Sequence, residues 1–105
     1  MQSQNEVEFL PRITVLLATF NGRRWLPDQV KSILDQRGVA VRLVILDDGS
    51  TDGTVDWLGV LASTDPRITI LPIDKPSGSA ARNFYRLIGR ADTSDADLVA
   101  LADQD

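Results

Sequence analysis

The side chains best suited to chemistry in this sequence are aspartates in two close pairs. Asp47 and Asp48 are adjacent, whereas Asp103 and Asp105 are separated by one residue. The 105-residue chain contains no histidine and no cysteine. Acid–base or metal chemistry therefore falls to carboxylates, whose hard oxygens favour Mg²⁺ or Mn²⁺. If the four carboxylates share one site, their mutual repulsion predicts a divalent cation or a hydrogen-bond donor beside them.

Both pairs follow apolar runs that are predicted to be strands. These runs are four to six residues long, nearly continuously apolar and rich in branched side chains, which is typical of strands buried on both faces. The four predicted strands cover residues 13–18, 41–46, 68–71 and 97–102. Each one ends in polar residues, so the sequence predicts polar loops at the carboxyl ends of the strands.

Three amphipathic helices are predicted between the strands. The first covers residues 24–36, with Pro27 in its first turn, where proline is tolerated. The second has Ser50 or Thr51 as its N-cap and Asp52 in its first turn. The third covers roughly residues 79–88 and ends at Gly89. Its predicted buried stripe consists of Ala81, Phe84, Tyr85 and Ile88.

Strict alternation of strand and helix predicts an α/β fold. Parallel pairing with right-handed crossovers gives an open, mainly parallel, Rossmann-like sheet with helices on both faces. In such sheets, ligands bind beyond the carboxyl ends of the strands. We therefore expect the aspartates to converge on one edge, within a domain covering residues 12–105 that follows a flexible leader, residues 1–11.

Charge and missing motifs exclude several classes of function. The formal net charge is −4 and no basic stripe is present, so we expect no nucleic-acid partner. The sequence contains neither the glycine-rich dinucleotide loop nor the P-loop. The longest apolar run, residues 98–102, is far short of the roughly 20 residues of a spanning helix. The polar, acidic start of the chain does not resemble a secretion signal, which predicts a cytoplasmic protein.

Four blocks in order resemble the family 2 glycosyltransferases, which have the GT-A nucleotide-sugar fold. The resemblance runs from about residue 12 to the last residue, and the spacing of the blocks makes it specific. The Asp-Gln-Asp block is similar to that of rhamnosyltransferase-like members. The blocks are Thr19-Phe20-Asn21-Gly22, Asp47-Asp48-Gly49-Ser50-Thr51-Asp52, Gly78-Ser79-Ala80-Ala81-Arg82-Asn83 and Asp103-Gln104-Asp105.

The resemblance implies a role for individual residues. Phe20 would contact the base, Asp48 would accept the pyrimidine ring N–H, and Asp47 would support the turn or the ribose side. Asp103 would lie near the ribose and the metal, and Asp105 would be the main ligand of Mn²⁺ or Mg²⁺. The nucleotide-binding set implied in this way is Thr19, Phe20, Asn21, Asp47, Asp48, Gly78, Arg82 and Asp103.

The resemblance also implies a reaction. A sugar would pass from a UDP- or dTDP-sugar to a glycan or lipid-linked acceptor with inversion at the anomeric carbon. We expect the general base beyond residue 105, so that this chain is a donor-binding half, truncated after the fourth strand and inactive alone. A following region could also associate with the inner face of the membrane.

Two other interpretations remain open at this point. Asp-Asp-Gly-Ser-Thr is also a good turn and helix cap, which suits an inert interaction domain. A magnesium-dependent phosphoacceptor module, such as a receiver domain, also gathers carboxylates at strand ends. Such modules carry an acidic residue after the first strand, where this sequence has Thr19, Phe20 and Asn21. The glycosyltransferase interpretation requires Asp48 and Asp103 to lie on the same side of the molecule.

Overall fold

A computed structural model describes residues 10–73 and 75–103. Strands and helices alternate along the chain, as the sequence predicts. The elements are β1 (Arg12–Thr19), α1 (Leu26–Leu34), β2 (Ala40–Asp47), α2 (Thr54–Thr64), β3 (Ile68–Ile70), α3 (Ala80–Arg90) and β4 (Leu98–Asp103). Most of the predicted leader, residues 1–9, lies outside the described residues, and so do Asp74 and residues 104–105.

The four strands form one parallel sheet in the order β3-β2-β1-β4. In the register of this sheet, Thr19 at the end of β1 pairs with Asp47 of β2, and the preceding Ala18 pairs with Asp103 of β4. The carboxyl ends of three strands therefore meet at one edge. This confirms the predicted open α/β sheet and places Asp47 and Asp48 at the same edge as Asp103.

Helices cover both faces of the sheet. On one face, Leu26 of α1 and Leu58 of α2 pack with Leu17, Leu43 and Ile45 of the central strands. On the other face, Leu87 of α3 packs with Leu16, Ala18, Val44 and Leu46. Each fully buried leucine contributes about 1.5–3 kcal/mol relative to an exposed one. The middle of the sheet is therefore a rigid support for the loops at its carboxyl edge.

The start of α2 differs from the prediction. Neither Ser50 nor Thr51 is the N-cap, because the helix begins at Thr54 after Gly53, whose φ is 91°. The N–H groups of Ser50 and Thr51 instead bond to side chains of the neighbouring loops, those of Asp47 and Asn21. Asp52 precedes the helix and accepts hydrogen bonds from the N–H and hydroxyl of Thr54. The predicted cap residues are therefore used to close the loop after β2.

The buried face of α3 is also not the one predicted. Of the predicted stripe, Phe84 is partly buried and packs against the core, whereas Tyr85 and Ile88 are exposed. The fully buried positions are Asn83 and Leu87. The helix continues through Gly89 to Arg90. Asn83 determines this orientation, because its side-chain amide donates to the carbonyl of Leu46 at the end of β2. The helical period was right, and its phase was off by one residue, about 100° around the helix.

The strand β4 is not buried on both faces as its apolar sequence predicts. Leu98 is 60 % exposed, and Val99 and Leu101 are similarly accessible. The strand lies at the edge of the sheet, paired only with β1, and no described helix buries its faces. None of the described helices is long and apolar enough to cross a membrane.

Candidate functional site

A cavity of about 410 Å³ opens at the carboxyl edge of the sheet. It lies between the loop after β1, the loop after β2, the amino end of α3 and the end of β4. Five of the predicted residues line it: Thr19, Phe20, Asp48, Gly78 and Asp103. Asp48 and Asp103 therefore lie on the same side of the molecule, as the glycosyltransferase interpretation requires. The predicted residues Asn21, Asp47 and Arg82 do not line this cavity, and Asp105 lies outside the described residues.

Asp47 holds the loop after β2 together. Its side chain is 1 % exposed, and one oxygen accepts hydrogen bonds from the hydroxyls of Thr19 and Ser50, both at 2.6 Å. The other oxygen accepts from the N–H groups of Gly49 at 3.0 Å and Ser50 at 2.7 Å. A carboxylate offers about four acceptor positions, so Asp47 keeps none for a nucleotide. Of its two expected roles, the structure shows the one in the turn.

Asp48 connects two segments that are far apart in the sequence. Its Oδ1 accepts from the N–H of Ser77 at 2.6 Å, and its Oδ2 accepts from the Ser77 hydroxyl at 2.8 Å. Both residues are buried, yet Asp48 also lines the cavity. Two of its about four acceptor positions remain. Asp48 can therefore accept a further N–H from a ligand in the cavity.

The loop after β1 holds an aromatic ring at the rim of the cavity. Phe20 lines the cavity while its side chain is half exposed. The following Asn21 has a φ of 51°, in the left-handed region that asparagine tolerates. Its N–H donates to the Ser50 hydroxyl and its side-chain oxygen accepts from the Thr51 N–H. Asn21 thus braces the loop that presents Phe20.

The amino end of α3 borders the cavity with backbone rather than charge. Gly78 has a φ of 83°, and Ser79 caps the helix by accepting from the Arg82 N–H at 3.1 Å. Arg82 is not a lining residue, and its guanidinium donates to the carbonyl of Ser77 at 3.5 Å. The first N–H groups of a helix favour an anionic ligand. Arg82 therefore has a contact within the protein, and the helix end is the polar feature beside the cavity.

Two residues at or beside the cavity were given no role of their own by sequence reasoning: Asn83, which belongs to the block quoted for the resemblance, and Ser77, which lies just before that block. Asn83 lines the cavity and is 2 % exposed. Its Nδ2 donates to the Leu46 carbonyl at 3.0 Å, and its Oδ1 is buried without a hydrogen-bond partner. The polar residue inside the helical pattern was the available signal for Asn83. Ser77 carried no such signal, because its partner is 29 residues away.

Asp103 completes the cavity at the end of β4. Its carboxylate is exposed and has no hydrogen bond or ion pair with residues 10–73 or 75–103, while its carbonyl accepts from the Gln29 amide. Within those ranges, no group of three or more acidic or histidine residues could hold a metal ion. An exposed carboxylate oxygen suits a hard cation that takes its other ligands from phosphate and water. The predicted partner Asp105 lies outside these ranges.

Comparisons with known proteins agree with this geometry. The family model described as Glycosyl transferase family 2 matches residues 14–105. The chain is 40 % identical over 90 residues to dTDP-rhamnosyl transferase RfbG of Shigella flexneri, covering 85 % of this chain and 31 % of that protein. It is 39 % identical over 74 residues to the putative teichuronic acid biosynthesis glycosyltransferase TuaG of Bacillus subtilis, covering 70 % and 29 %. The chain thus spans about a third of the length of these relatives.

Solved structures share the fold. The mannosyltransferase PcManGT from Pyrobaculum calidifontis, solved with GDP-Man and Mn²⁺, has a TM-score of 0.73 and 25 % identity, covering 92 % of this chain and 28 % of its own. The S. aureus protein TarS 1-349, solved with UDP-GlcNAc, has a TM-score of 0.71 and 19 % identity, covering 90 % and 26 %. These matches confirm the predicted GT-A type of fold for this chain. These findings support the glycosyltransferase interpretation and not the phosphoacceptor alternative.

Proposed function

Because the chain belongs to glycosyl transferase family 2, we propose that it forms the donor-binding part of an inverting sugar transferase. The enzyme would move a sugar from a nucleotide diphosphate to an acceptor hydroxyl. One observation carries the proposal: Asp48 of the β2 end and Asp103 of the β4 end line the same cavity. The nucleobase would bind at Asp48 and the diphosphate near Asp103, so the two carboxylates would have different roles.

The base would bind between Asp48 and Phe20. The two remaining acceptor positions of Asp48 suit the ring N–H of a pyrimidine, a charge-assisted bond worth roughly 1.5–3 kcal/mol. Phe20 at the rim suits stacking, which contributes about 1–3 kcal/mol per base in other systems. Asp48 and Phe20 together therefore suit a flat ring that donates an N–H. Uracil and thymine carry such a ring N–H and cytosine does not, so among the pyrimidines this position fits a UDP- or dTDP-sugar.

The diphosphate would bind between α3 and β4. We assign Asp103 and Asp105 to a Mn²⁺ or Mg²⁺ ion, because exposed carboxylate oxygens suit a hard cation. When bound, such an ion offsets the charge that develops on the departing nucleoside diphosphate. The N–H groups at the amino end of α3 add a favourable field for the same charge. This side of the cavity therefore depends on a cation, whereas the base side does not.

The acceptor hydroxyl needs a general base on the far side of the sugar. In this proposal Asp48 serves the nucleobase and Asp103 the diphosphate, so neither is free for that task. We assign the base to a carboxylate that follows residue 105 in the whole protein. The acceptor would be a glycan or a lipid-linked glycan, consistent with the polysaccharide-related names of the relatives.

Nucleotide titrations of the chain test this function. We expect UDP and dTDP to bind more tightly than CDP, whose ring has no N–H to donate to Asp48, and Mn²⁺ to strengthen the binding. Asp48→Asn should weaken UDP binding about tenfold with or without Mn²⁺, since it removes a charged acceptor. Asp103→Asn should instead abolish the gain from Mn²⁺. Asp95→Asn, in the exposed loop before β4, is the matched control and should change neither quantity.

Two results would contradict the proposal. If UDP binds equally well to wild type and Asp48→Asn, the base does not contact Asp48. If neither nucleotide binds a folded sample with Mn²⁺ present, the chain has no donor site. Covalent labelling of Asp48 by acetyl phosphate would favour the phosphoacceptor function instead.

A further inference from the structure

One carboxylate joins two loops of the cavity wall. Asp48 follows β2, and Ser77 precedes α3, 29 residues later in the chain. Ser77 supplies both donors, its N–H at 2.6 Å to Oδ1 and its hydroxyl at 2.8 Å to Oδ2. Because each oxygen has its own donor, the carboxylate cannot rotate without breaking a hydrogen bond. The plane of the Asp48 carboxylate is therefore fixed before any ligand arrives.

The segment that carries Ser77 is itself held in place. Pro76 packs against the backbone of Gly49, so closely that a Cβ on Gly49 would lie 2.9 Å from the proline Cγ. The Ser77 oxygen also accepts from the Ser79 N–H at 3.3 Å, and Ser79 caps α3. The Ser77 hydroxyl has a second acceptor within reach, the Ser79 carbonyl at 2.8 Å. With one proton to donate, the hydroxyl bonds more strongly to the charged carboxylate.

We propose that Ser77 is a positioning residue that sets the orientation in which Asp48 meets the ring N–H of the nucleobase. The inference rests on the proposed function, since it requires Asp48 to contact the base. A carboxylate that is already oriented loses less freedom on binding, which raises affinity for a matching donor. Ser77 thereby contributes to selectivity for bases that carry an N–H, without touching the base itself.

If Ser77 only held the two loops together and did not orient Asp48, its substitution would affect nucleotide binding in a different way. Loosening the cavity wall would weaken every nucleotide to a similar extent. Loss of carboxylate orientation should weaken only a ligand that donates to Asp48. The ratio of two affinities, for UDP and for its N3-methyl analogue, separates these cases, because the analogue has no ring N–H.

The experiment measures both dissociation constants by NMR titration of the chain. For wild type we expect UDP to bind about tenfold more tightly than N3-methyl-UDP, the effect of one charge-assisted hydrogen bond. Ser77→Ala should reduce the ratio to about threefold or less, mainly by weakening UDP. Ser77→Thr keeps the hydroxyl and should restore the ratio. Ser79→Ala removes the α3 cap but not the Asp48 contact, so it should weaken both ligands and leave the ratio unchanged.

Two further variants keep the test decisive. Ser77→Cys changes the shape little and replaces the hydroxyl by a weaker donor, so an intermediate ratio is expected even if Ser77→Ala fails to fold. In an Asp48→Asn background, Ser77→Ala should have no further effect on the ratio. A wild-type ratio near one overturns the base contact, and with it the proposed function. A wild-type ratio near ten that survives both Ser77→Ala and Ser77→Cys overturns the role of Ser77 alone.

Discussion

Each end of the cavity carries an aspartate carboxylate, but the two carboxylates differ in burial and in hydrogen bonding. At the β2 end, Asp48 is buried and both of its oxygens accept hydrogen bonds from Ser77. At the β4 end, the Asp103 carboxylate is exposed and has no partner among residues 10–73 and 75–103. Under the proposed function, the carboxylate that would contact the base is oriented by the protein in advance. The carboxylate that would serve the diphosphate would be fixed only by a cation and a ligand.

The supporting strands show the same contrast. β2 lies inside the sheet between β1 and β3, and Leu43, Val44, Ile45 and Leu46 are all buried. β4 lies at the edge, and Leu98, Val99 and Leu101 are exposed. A side chain on a packed element is held in a narrower range of positions than one on an exposed element. We call the β2 side of the cavity, with Asp48, its rigid end, and the β4 side, with Asp103, its open end.

Replacing Asp47, the second buried carboxylate at the end of β2, should have the largest effect on stability. Asp47→Ala leaves the hydroxyls of Thr19 and Ser50 and two loop N–H groups without their acceptor. We expect the free energy of unfolding to fall by about 3–4 kcal/mol, since each lost bond counts about 1 kcal/mol. Asp103→Ala at the open end should change it by less than about 0.5 kcal/mol. Urea denaturation of both variants measures the difference, and equal losses would contradict the contrast between the two ends.

Substitution of Gly49, which contacts Pro76, should lower the free energy of unfolding by a smaller amount. Gly49 has a φ of 89°, and a Cβ there would lie 2.9 Å from Pro76 Cγ. Gly53 has nearly the same φ, 91°, but a Cβ there would meet nothing within 4 Å. Gly53→Ala should cost about 1–2 kcal/mol for the left-handed backbone alone.

Gly49→Ala should cost about 1 kcal/mol more than Gly53→Ala, because the proline or the loop must shift. Thermal and urea unfolding of the two variants provide the comparison. Identical losses would mean that the Pro76 segment moves freely, which would also weaken the case for a fixed Ser77.

The sheet and the position of its site could be predicted from the sequence because both depend on local patterns. Runs such as residues 41–46 are apolar at nearly every position, which marks a strand buried on both faces. Alternation with helices then fixes parallel pairing, and parallel pairing brings the carboxyl ends together. Asp48 and Asp103 could be placed on one edge without knowledge of any side-chain contact.

The details that were missed depend on contacts between distant segments. The phase of α3 follows from the hydrogen bond of Asn83 to the Leu46 carbonyl, 37 residues away. A periodic pattern favoured Tyr85 and Ile88 for the core, but packing left both exposed. The exposure of β4 likewise reflects which elements lie next to it, since its composition is that of a buried strand. Ser77 could be linked to Asp48 only once the chain was folded.

Acid should slightly weaken the attachment of β4 to β1 at the amino ends of these strands, the edge of the sheet opposite the cavity. Asp97, just before β4, accepts from the Arg12 N–H at 2.8 Å, and its other oxygen lies 3.5 Å from the Arg12 guanidinium. The backbone hydrogen bond from Arg12, together with its side chain, lowers the pKa of Asp97 below the ordinary value. A lowered pKa in the folded state means that stabilisation is present above the unfolded-state pKa of about 3.9. It is lost as the pH falls through the folded-state pKa.

We therefore expect Asp97→Asn to be slightly less stable than wild type at pH 6, and the difference to shrink as the pH falls towards 2. Asp95→Asn, in the same exposed loop but without a bond to β1, is the control and should track wild type at every pH. Urea midpoints at pH 6, 4, 3 and 2 measure the effect, which is small because both Asp97 and Arg12 are exposed. A wild-type advantage that persists unchanged at pH 2 would show that the contribution of Asp97 does not depend on its charge. The attachment of the amino end of β4 to β1 would then be as independent of charge as the ladder of backbone hydrogen bonds between the two strands.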